Sequence, residues 1–457
     1  MARWQSGIHP NRGAGGKVVV LVSVGGCMTA LCGLHPLSKR GRDSYLNRVM
    51  WKPALAPIKL LFVHERFGAL AGAESNILAT ASELKQRGHT VGILHGRPTG
   101  KGEANWEGTF EHRFPLDANG NAARVNEALE RFQPDVVYVH KTADLELLEA
   151  LLGAAPPLVR MVHDHDLYCM RSYKYNYFTR RVCDRGVSPF CVFPCGAFVA
   201  REHEGRLPLR WVSYSSKVRE LELNRQFDCM IVATHFMKDE LLRNGFDSNS
   251  IEIHPPVPRA GDPSSSSSFS DRNLIVYAGQ IVRGKGVDVL LESLARLTSP
   301  FECFVFGDGN HRAYCEQLSR KLGLDKRVHF KGYVPQEELK LYYREASLAV
   351  VSSVWPEPFG AVGLEGMSHG LPVVAFDAGG IKEWLINGYN GYRVPWMDRA
   401  AFAARVEDLL RDKALARQMG ERGRTMVNEC YEFSEYIDGL ESLFARLTCK
   451  SLQPVPA

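Results

Sequence analysis

At 457 residues the chain is too long for one ordinary core and suits two domains of roughly 150 to 200 residues each. Its composition, 45% hydrophobic and 23% charged, is that of an ordinary globular protein and excludes a disordered or fibrous chain. A net charge of +5 is mild for this length and does not mark a nucleic-acid binder. Eleven cysteines, an odd number scattered through a long chain, fit a reduced, cytoplasmic setting better than a disulfide scaffold.

The chain opens with an extension, residues 1–57. It is uncharged from Val18 to Leu34. That run falls short of the ~20 apolar residues a membrane span needs, and glycines dilute it. A signal sequence with cleavage near Cys27 is a second reading. A third, which the residues that follow favour, is a disordered or non-catalytic extension, or a start placed too early, with Met50 just before the first strand.

Residues 58–257 alternate short β-rich runs with helical ones. "IKLLFVHE" predicts a strand, and "FGALAGAE" is a loop of small residues. "ESNILATASELKQRG" sets Ile77, Leu78, Ala81 and Leu84 at helical spacing, with Gly88 as its stop. "HTVGILHG", "PDVVYVH" and "PLVRMVHDH" are further strands, with the helix "NAARVNEALERFQ" among them. Residues 258–270 are rich in proline and serine, a linker composition. In residues 271–430 the alternation restarts; its strand "SLAVVSS" is expected to run on to Trp355, and "LPVVA" reads as a further strand. "YEFSEYIDGLESLFARL", within 431–448, predicts an amphipathic helix crossing back onto the first domain. The expected fold is α/β, two Rossmann-like doubly wound domains facing a central cleft. Ligands in such sheets sit beyond the carboxyl ends of the strands, so the loops there hold the candidates.

The most informative loop is "WPEPFGAVGLEGMSHG", residues 355–370. Two prolines stiffen it and a helix starts near Gly360. The amides of Phe359, Gly360 and Ala361 are then free to meet an anion or sugar hydroxyls, with the helix dipole behind them. Glu357 and Glu365 stand eight positions apart. A pair of acids alone is as easily a dipole-favoured residue and a solvated one; the whole string is more specific.

Residues 273–395 resemble the donor-binding domain of the retaining nucleotide-sugar glycosyltransferases of family 4, enzymes of the two-domain GT-B fold. The matching strings are "YAGQIVRGKGVDVLLESL", "VFGDGNH", "VHFKGYVPQEEL" and "WPEPFGAVGLEGMSHGLPVVAFDAGGIKEWLINGYNGYRVP", with its E-x(7)-E spacing. A weaker likeness, "AGAESNILATASELKQRGHTV", extends the resemblance over roughly residues 58–445. It implies that Glu357 contacts the donor sugar and Glu365 the ribose. Lys285 matches the family lysine that faces the leaving diphosphate. The family arginine is Gln280 here, and Arg283 is long enough to replace its charge; a solvated loop residue is the alternative. Gly307, in "GDGN", lies near the donor, and Gly332 and Tyr333, in "KGYV", match the segment whose backbone holds the base. In the first half Gly72 and Glu74 match the family loop, whereas Ala71 stands where glycine is usual. His163 occupies the position of a cleft histidine; a metal site of His163, Asp164, His165 and Asp166 is the alternative. The resemblance implies a nucleotide-sugar co-substrate and no cofactor required for catalysis.

An insertion holds Cys169, Cys183, Cys191 and Cys195, separated by 13, 7 and 3 residues. Four clustered cysteines suggest a structural zinc; unligated buried thiols are the alternative. From Arg160 to Arg225 there are 12 Lys/Arg and 7 Asp/Glu, a local net of 12 − 7 = +5, interleaved with Tyr168, Tyr173, Tyr175, Tyr177 and Phe178. Such a surface suits an anionic acceptor or an anionic membrane; a solvated face is the alternative. The expected activity is retaining transfer of a sugar to a saccharide or lipid-linked acceptor hydroxyl, in cell-surface polysaccharide or glycolipid synthesis. It would take place in the cytoplasm or peripherally on its membrane. A nucleotide-sugar epimerase of the same shape and a catalytically silent binder are the rivals.

Overall fold

The computed structural model describes residues 56–69, 72–116, 121–176, 179–201, 209–258 and 270–451. All but two residues of the N-terminal extension, all but two of the linker, and Ala71, Tyr177 and Phe178 lie outside the described residues.

The first sheet contains strands β1 (Lys59–Phe67), β2 (Thr90–Pro98), β3 (His112–Pro115), β4 (Val136–Lys141) and β5 (Leu158–Val162). A two-stranded hairpin, β6 (Val199–Arg201) and β7 (Leu209–Trp211), interrupts it, and β8 (Cys229–Val232) and β9 (Ile251–Ile253) complete it. The order is β3-β2-β1-β4-β5-β8-β9, and every pair within it is parallel. The second sheet uses β10 (Leu274–Ala278), β11 (Glu302–Phe306), β12 (Val328–Gly332), β13 (Leu348–Val351), β14 (Val373–Phe376) and β15 (Gly391–Val394). Its order is β12-β11-β10-β13-β14-β15, also parallel throughout. In both sheets the strand order reverses beside the first strand, the switch point where doubly wound sheets bind ligands.

The central strands are near-continuous apolar runs because helices cover both faces. Leu60, Leu61, Phe62 and Val63 of β1 are all fully buried. The helix Gly72–Gln86 ends as its sequence predicts: Gly88, at φ +95°, donates to the Lys85 carbonyl, and the His89 amide returns to Leu84. The last helix, Phe433–Ser451, packs on the first sheet. Its Tyr436, Ile437, Leu440 and Phe444 share a core with Leu60, Phe62 and Tyr138. Asp438 and Glu441 on it pair with Arg87, at 2.6 and 2.9 Å.

One expectation is corrected. β13 stops at Val351, not at Trp355. The amides of Val354 and Trp355 leave the ladder because both donate to the Gly284 carbonyl, at 2.9 and 3.0 Å.

Candidate active site

Two loops of the second domain are knitted together at the carboxyl ends of neighbouring strands β10 and β13. The Gly284 carbonyl takes the two amides just described, and Ser352 Oγ donates to the Lys285 carbonyl at 2.9 Å. Gly286, at φ +66°, lies so close that a Cβ there would stand 2.1 Å from the Ser352 carbonyl oxygen. Only glycine fits this approach. The loop carrying Lys285 is thereby fixed against the loop carrying Glu357.

Glu357 is buried, and Lys285 Nζ reaches its Oε1 at 2.7 Å. Trp355 Nε1 donates to the same oxygen at 3.0 Å, and Ser353 Oγ donates to it as well. Burial alone would raise this carboxyl. The Lys285 ammonium, with the Ser353 and Trp355 donors, outweighs it, so Glu357 lies below the usual carboxylate range. Lys285 also stands 5.0 Å from the centroid of the Trp355 ring.

The Glu357 main chain is held with equal care. Pro356 and Pro358 flank it and have no N–H, so their carbonyls are the remaining main-chain polar groups. Four successive carbonyls accept: Pro356 from His165 Nε2 at 2.6 Å, Glu357 from the Gly380 amide at 2.7 Å, Pro358 from Thr234 Oγ at 2.9 Å, and Phe359 from Trp384 Nε1 at 2.7 Å. The helix Ala361–Ser368 follows, capped by Gly360 at φ +81°. Its first backbone bond returns from Gly363 to Gly360, so the Phe359, Gly360 and Ala361 amides sit at the helix entrance as expected.

Glu365 lies inside that helix and faces another way. It lines a solvent-open recess of about 440 Å³ with Pro258, Lys340, Tyr343, His369 and Tyr431. Poor solvation there pushes its carboxyl up to about 7, and Lys340 opposes the rise only in part. The two glutamates are thus brought to different surroundings.

Gln280 and Gly307 meet where two turns cross. A Cβ on Gly307 would stand 1.9 Å from the Gly279 carbonyl oxygen, and the Ile281 amide donates to the Asp308 carbonyl at 2.8 Å. Arg283 sits in the same short turn as Lys285, Arg283–Lys285. Gly332, at φ +75°, accepts from the Gly307 amide at 2.7 Å, and the next residue, Tyr333, is 82% exposed.

In the first domain Gly72 opens its helix and Glu74 is buried, bonded to His64 Nε2 at 3.2 Å. His163 follows β5, and its Nε2 lies 2.8 Å from His140 Nδ1. Burial, with the His64 ring nearby, pushes His163 down to about 3, so it is neutral at physiological pH. It lines a second recess, about 230 Å³, with His140, Lys141, Arg160, Asp164 and Asp166. Lys141 bonds Asp164 at 3.2 Å and Asp166 more closely, which ties up the acids that a metal would need.

The insertion carries the four cysteines. Among the described residues no group of three or more His, Cys, Asp or Glu is arranged to hold a metal, and Cys169, Cys183, Cys191 and Cys195 are all free thiols. Hydrogen bonds shape the segment instead. Arg171 donates to the Cys195 and Gly196 carbonyls at 2.7 and 2.9 Å, and burial pushes the Cys169 thiol above its ordinary range.

Sequence reasoning missed the residues that join the domains. His165 and Thr234, from the ends of β5 and β8, bond the Glu357 loop. Arg180, from the insertion, forms a buried ion pair with Asp288 at 2.5 Å, one turn from Lys285. A Cβ on Gly284 would lie 3.4 Å from the Tyr175 ring. The only signal was position: each of the first two follows a strand.

Residues 70–258 match the family model Glycosyltransferase Family 4, and residues 259–426 match Glycosyl transferases group 1. The chain is 31% identical to the lipopolysaccharide core biosynthesis glycosyltransferase LpsE of Rhizobium meliloti over 171 residues, 37% of this chain and 49% of that one. It is 27% identical to glycogen synthase of Mycobacterium tuberculosis over 266 residues, 54% of this chain and 62% of that one. The chain spans about half the length of the curated relatives it matches. Among solved structures, Anabaena HepE in complex with UDP superposes with a TM-score of 0.65 at 18% identity, covering 85% of this chain and all of that one. Sucrose-phosphate synthase of Thermosynechococcus elongatus gives 0.64 at 18%, covering 86% of this chain and all of that one. The fold is therefore that of the GT-B glycosyltransferase structures.

Proposed function

We propose that this chain, a family 4 domain followed by a group 1 domain of glycosyltransferases, moves a glycosyl unit from a nucleotide-sugar donor to an acceptor hydroxyl with retention of configuration. The carrying observation is the Lys285–Glu357 pair, held on two knitted loops at the strand ends of a GT-B fold. The solved structures it resembles include HepE in complex with UDP-glucose, which favours a donor of that class. Negative charge grows on the departing diphosphate, and cations and amides fixed before the reaction stabilise it, each worth ~3 kcal/mol. Lys285, Arg283 and the amides of Phe359, Gly360 and Ala361 take that part. Three donors on one oxygen make the Glu357 carboxylate a weak base. That suits a group that binds sugar hydroxyls better than one that attacks carbon. The acceptor oxygen then bonds to the anomeric carbon on the face the phosphate leaves, and its proton passes to the departing phosphate oxygen.

The acceptor is a saccharide or lipid-linked glycan of the cell surface, met at an anionic membrane. Phe193 of the insertion and Trp211 of β7 are 83% and 79% exposed, with exposed Arg181 and Arg185 in the insertion. Among the described residues no helix is long and apolar enough to cross a membrane. Binding to vesicles should rise with anionic lipid and fall with salt; equal binding to neutral vesicles counts against it.

Incubation with a panel of nucleotide-sugars tests the main reading. Release of nucleoside diphosphate with an enlarged acceptor supports it, and the anomeric configuration of the product tests retention. A free epimerised sugar would indicate an epimerase. A donor bound but not consumed would indicate the silent binder that Gln280 favours.

A further inference from the structure

We infer that His165 and Thr234 are positioning residues that set the main chain around Glu357 from the opposite domain. The inference rests on the proposed role of Glu357 but is read from the contacts themselves. With Pro356 and Pro358 on either side, the Glu357 amide, bonded to the Ala378 carbonyl at 3.3 Å, and the successive carbonyls are the handles by which the segment can be held. His165 grips the carbonyl before Glu357, at 2.6 Å, and Thr234 the carbonyl after it, at 2.9 Å.

Both grips are themselves fixed. A carbonyl only accepts, so His165 Nε2 carries the proton, and its Nδ1 accepts from the Tyr168 hydroxyl at 2.9 Å. His165 is fully buried, with its ring edge-to-face against Trp355 at 5.7 Å. Thr234 caps the helix His235–Arg243, where its Oγ accepts from the Met237 amide at 3.3 Å while donating to Pro358. The adjacent His235 amide donates to Glu383 at 3.1 Å, beside the Gly380 turn that holds the Glu357 carbonyl. The other two grips on these carbonyls, the Gly380 amide and Trp384, belong to the second domain, as does the Ala378 carbonyl that accepts from the Glu357 amide at 3.3 Å. Each domain therefore contributes two of four successive holds, and the position of Glu357 depends on both domains being in contact.

Three full-length proteins decide the matter: wild type, His165→Leu with Thr234→Val, and His165→Gln with Thr234→Ser. The last pair keeps a donor at each place. Hydrogen–deuterium exchange without any donor reads the clamp directly. In the Leu/Val protein the amides of Glu357, Phe359 and Gly360 should exchange about tenfold faster or more, with the Gln/Ser protein close to wild type. With UDP-glucose as probe, turnover of the Leu/Val protein should fall ~100-fold while its dissociation constant changes little, since a misplacement near 1 Å costs about that much. The Gln/Ser protein should recover most of the loss. Unchanged exchange in the Leu/Val protein, or a Gln/Ser protein as damaged as Leu/Val, overturns the inference. So does a loss of affinity in proportion to turnover. If wild type neither binds nor turns over any nucleotide-sugar, the functional reading fails, and exchange alone still decides the clamp.

Discussion

Glu357 and Glu365 stand eight residues apart in one motif, yet the structure pulls them in opposite directions. Glu357 is the more buried of the two and is held below the usual carboxylate range. Glu365 is partly exposed and is pushed up to about 7. Burial raises both carboxyls, and partners decide which of them stays raised. Glu357 has an ammonium, an indole N–H and a hydroxyl on one oxygen, and Glu365 faces a recess whose nearest opposing charge is Lys340. A region with its hydrogen bonds already made keeps a charged acid ready. A region without them leaves the acid waiting for a ligand.

The comparison is broken most directly at Glu357. Glu357→Gln should cut donor turnover by ~1,000-fold, because it removes the charge facing Lys285 and leaves that cation without its counterion. Glu365→Gln should act mainly on donor affinity, by ~10-fold, since an amide still bonds a diol. Equal losses in turnover for the two variants would erase the distinction between the sites. Steady-state turnover alongside calorimetric donor binding separates them.

Lys285→Ala should lower turnover by ~100-fold or more. It should also raise the Glu357 carboxyl, since its largest stabilising partner is lost. Arg283→Ala should lower turnover by up to ~100-fold with a smaller effect on donor affinity, and adding Gln280→Arg should restore part of that loss. Undiminished turnover in Arg283→Ala would leave Lys285 and the backbone amides as the stabilisers.

The smallest effect concerns stability. Glu365 binds its proton more tightly folded than unfolded, with a folded value of about 7 against 4.5. Its contribution is therefore fully present below about 4.5 and is lost as pH rises through about 7. The melting temperature of wild type, measured against Glu365→Gln, should fall between pH 5 and pH 8 by a few degrees, on the order of 1 to 2 kcal/mol. A constant difference across that range would mean that the Glu365 carboxyl is not raised.

Much of this molecule was legible in its sequence because the signals are local. The parallel sheets follow from apolar runs alternating with amphipathic helices. The helix stop at Gly88 follows from glycine's access to positive φ, and the helix entrance at Gly360 from prolines ahead of a glycine. That Lys285 and Glu357 serve one donor site was implied by family resemblance, not by spacing; their ion pair is visible only in the fold. The insertion was less legible: the four cysteines are clustered in sequence, but Arg171 and main-chain bonds shape the segment, and cysteine spacing carries no information about such partners. The end of β13 was misjudged because the Gly284 carbonyl, some 70 residues away, captures the two amides that would have extended it. His165 and Thr234 were out of reach for the same reason. Their partners are carbonyl oxygens of another domain, 191 and 124 residues on. Periodicity, capping and turn chemistry are properties of neighbours along the chain, so the sequence alone determined the elements and their order. Which hydrogen-bond donors meet the carbonyls around Glu357, and hence how its main chain is held from both domains, was decided only when the two sheets closed on each other.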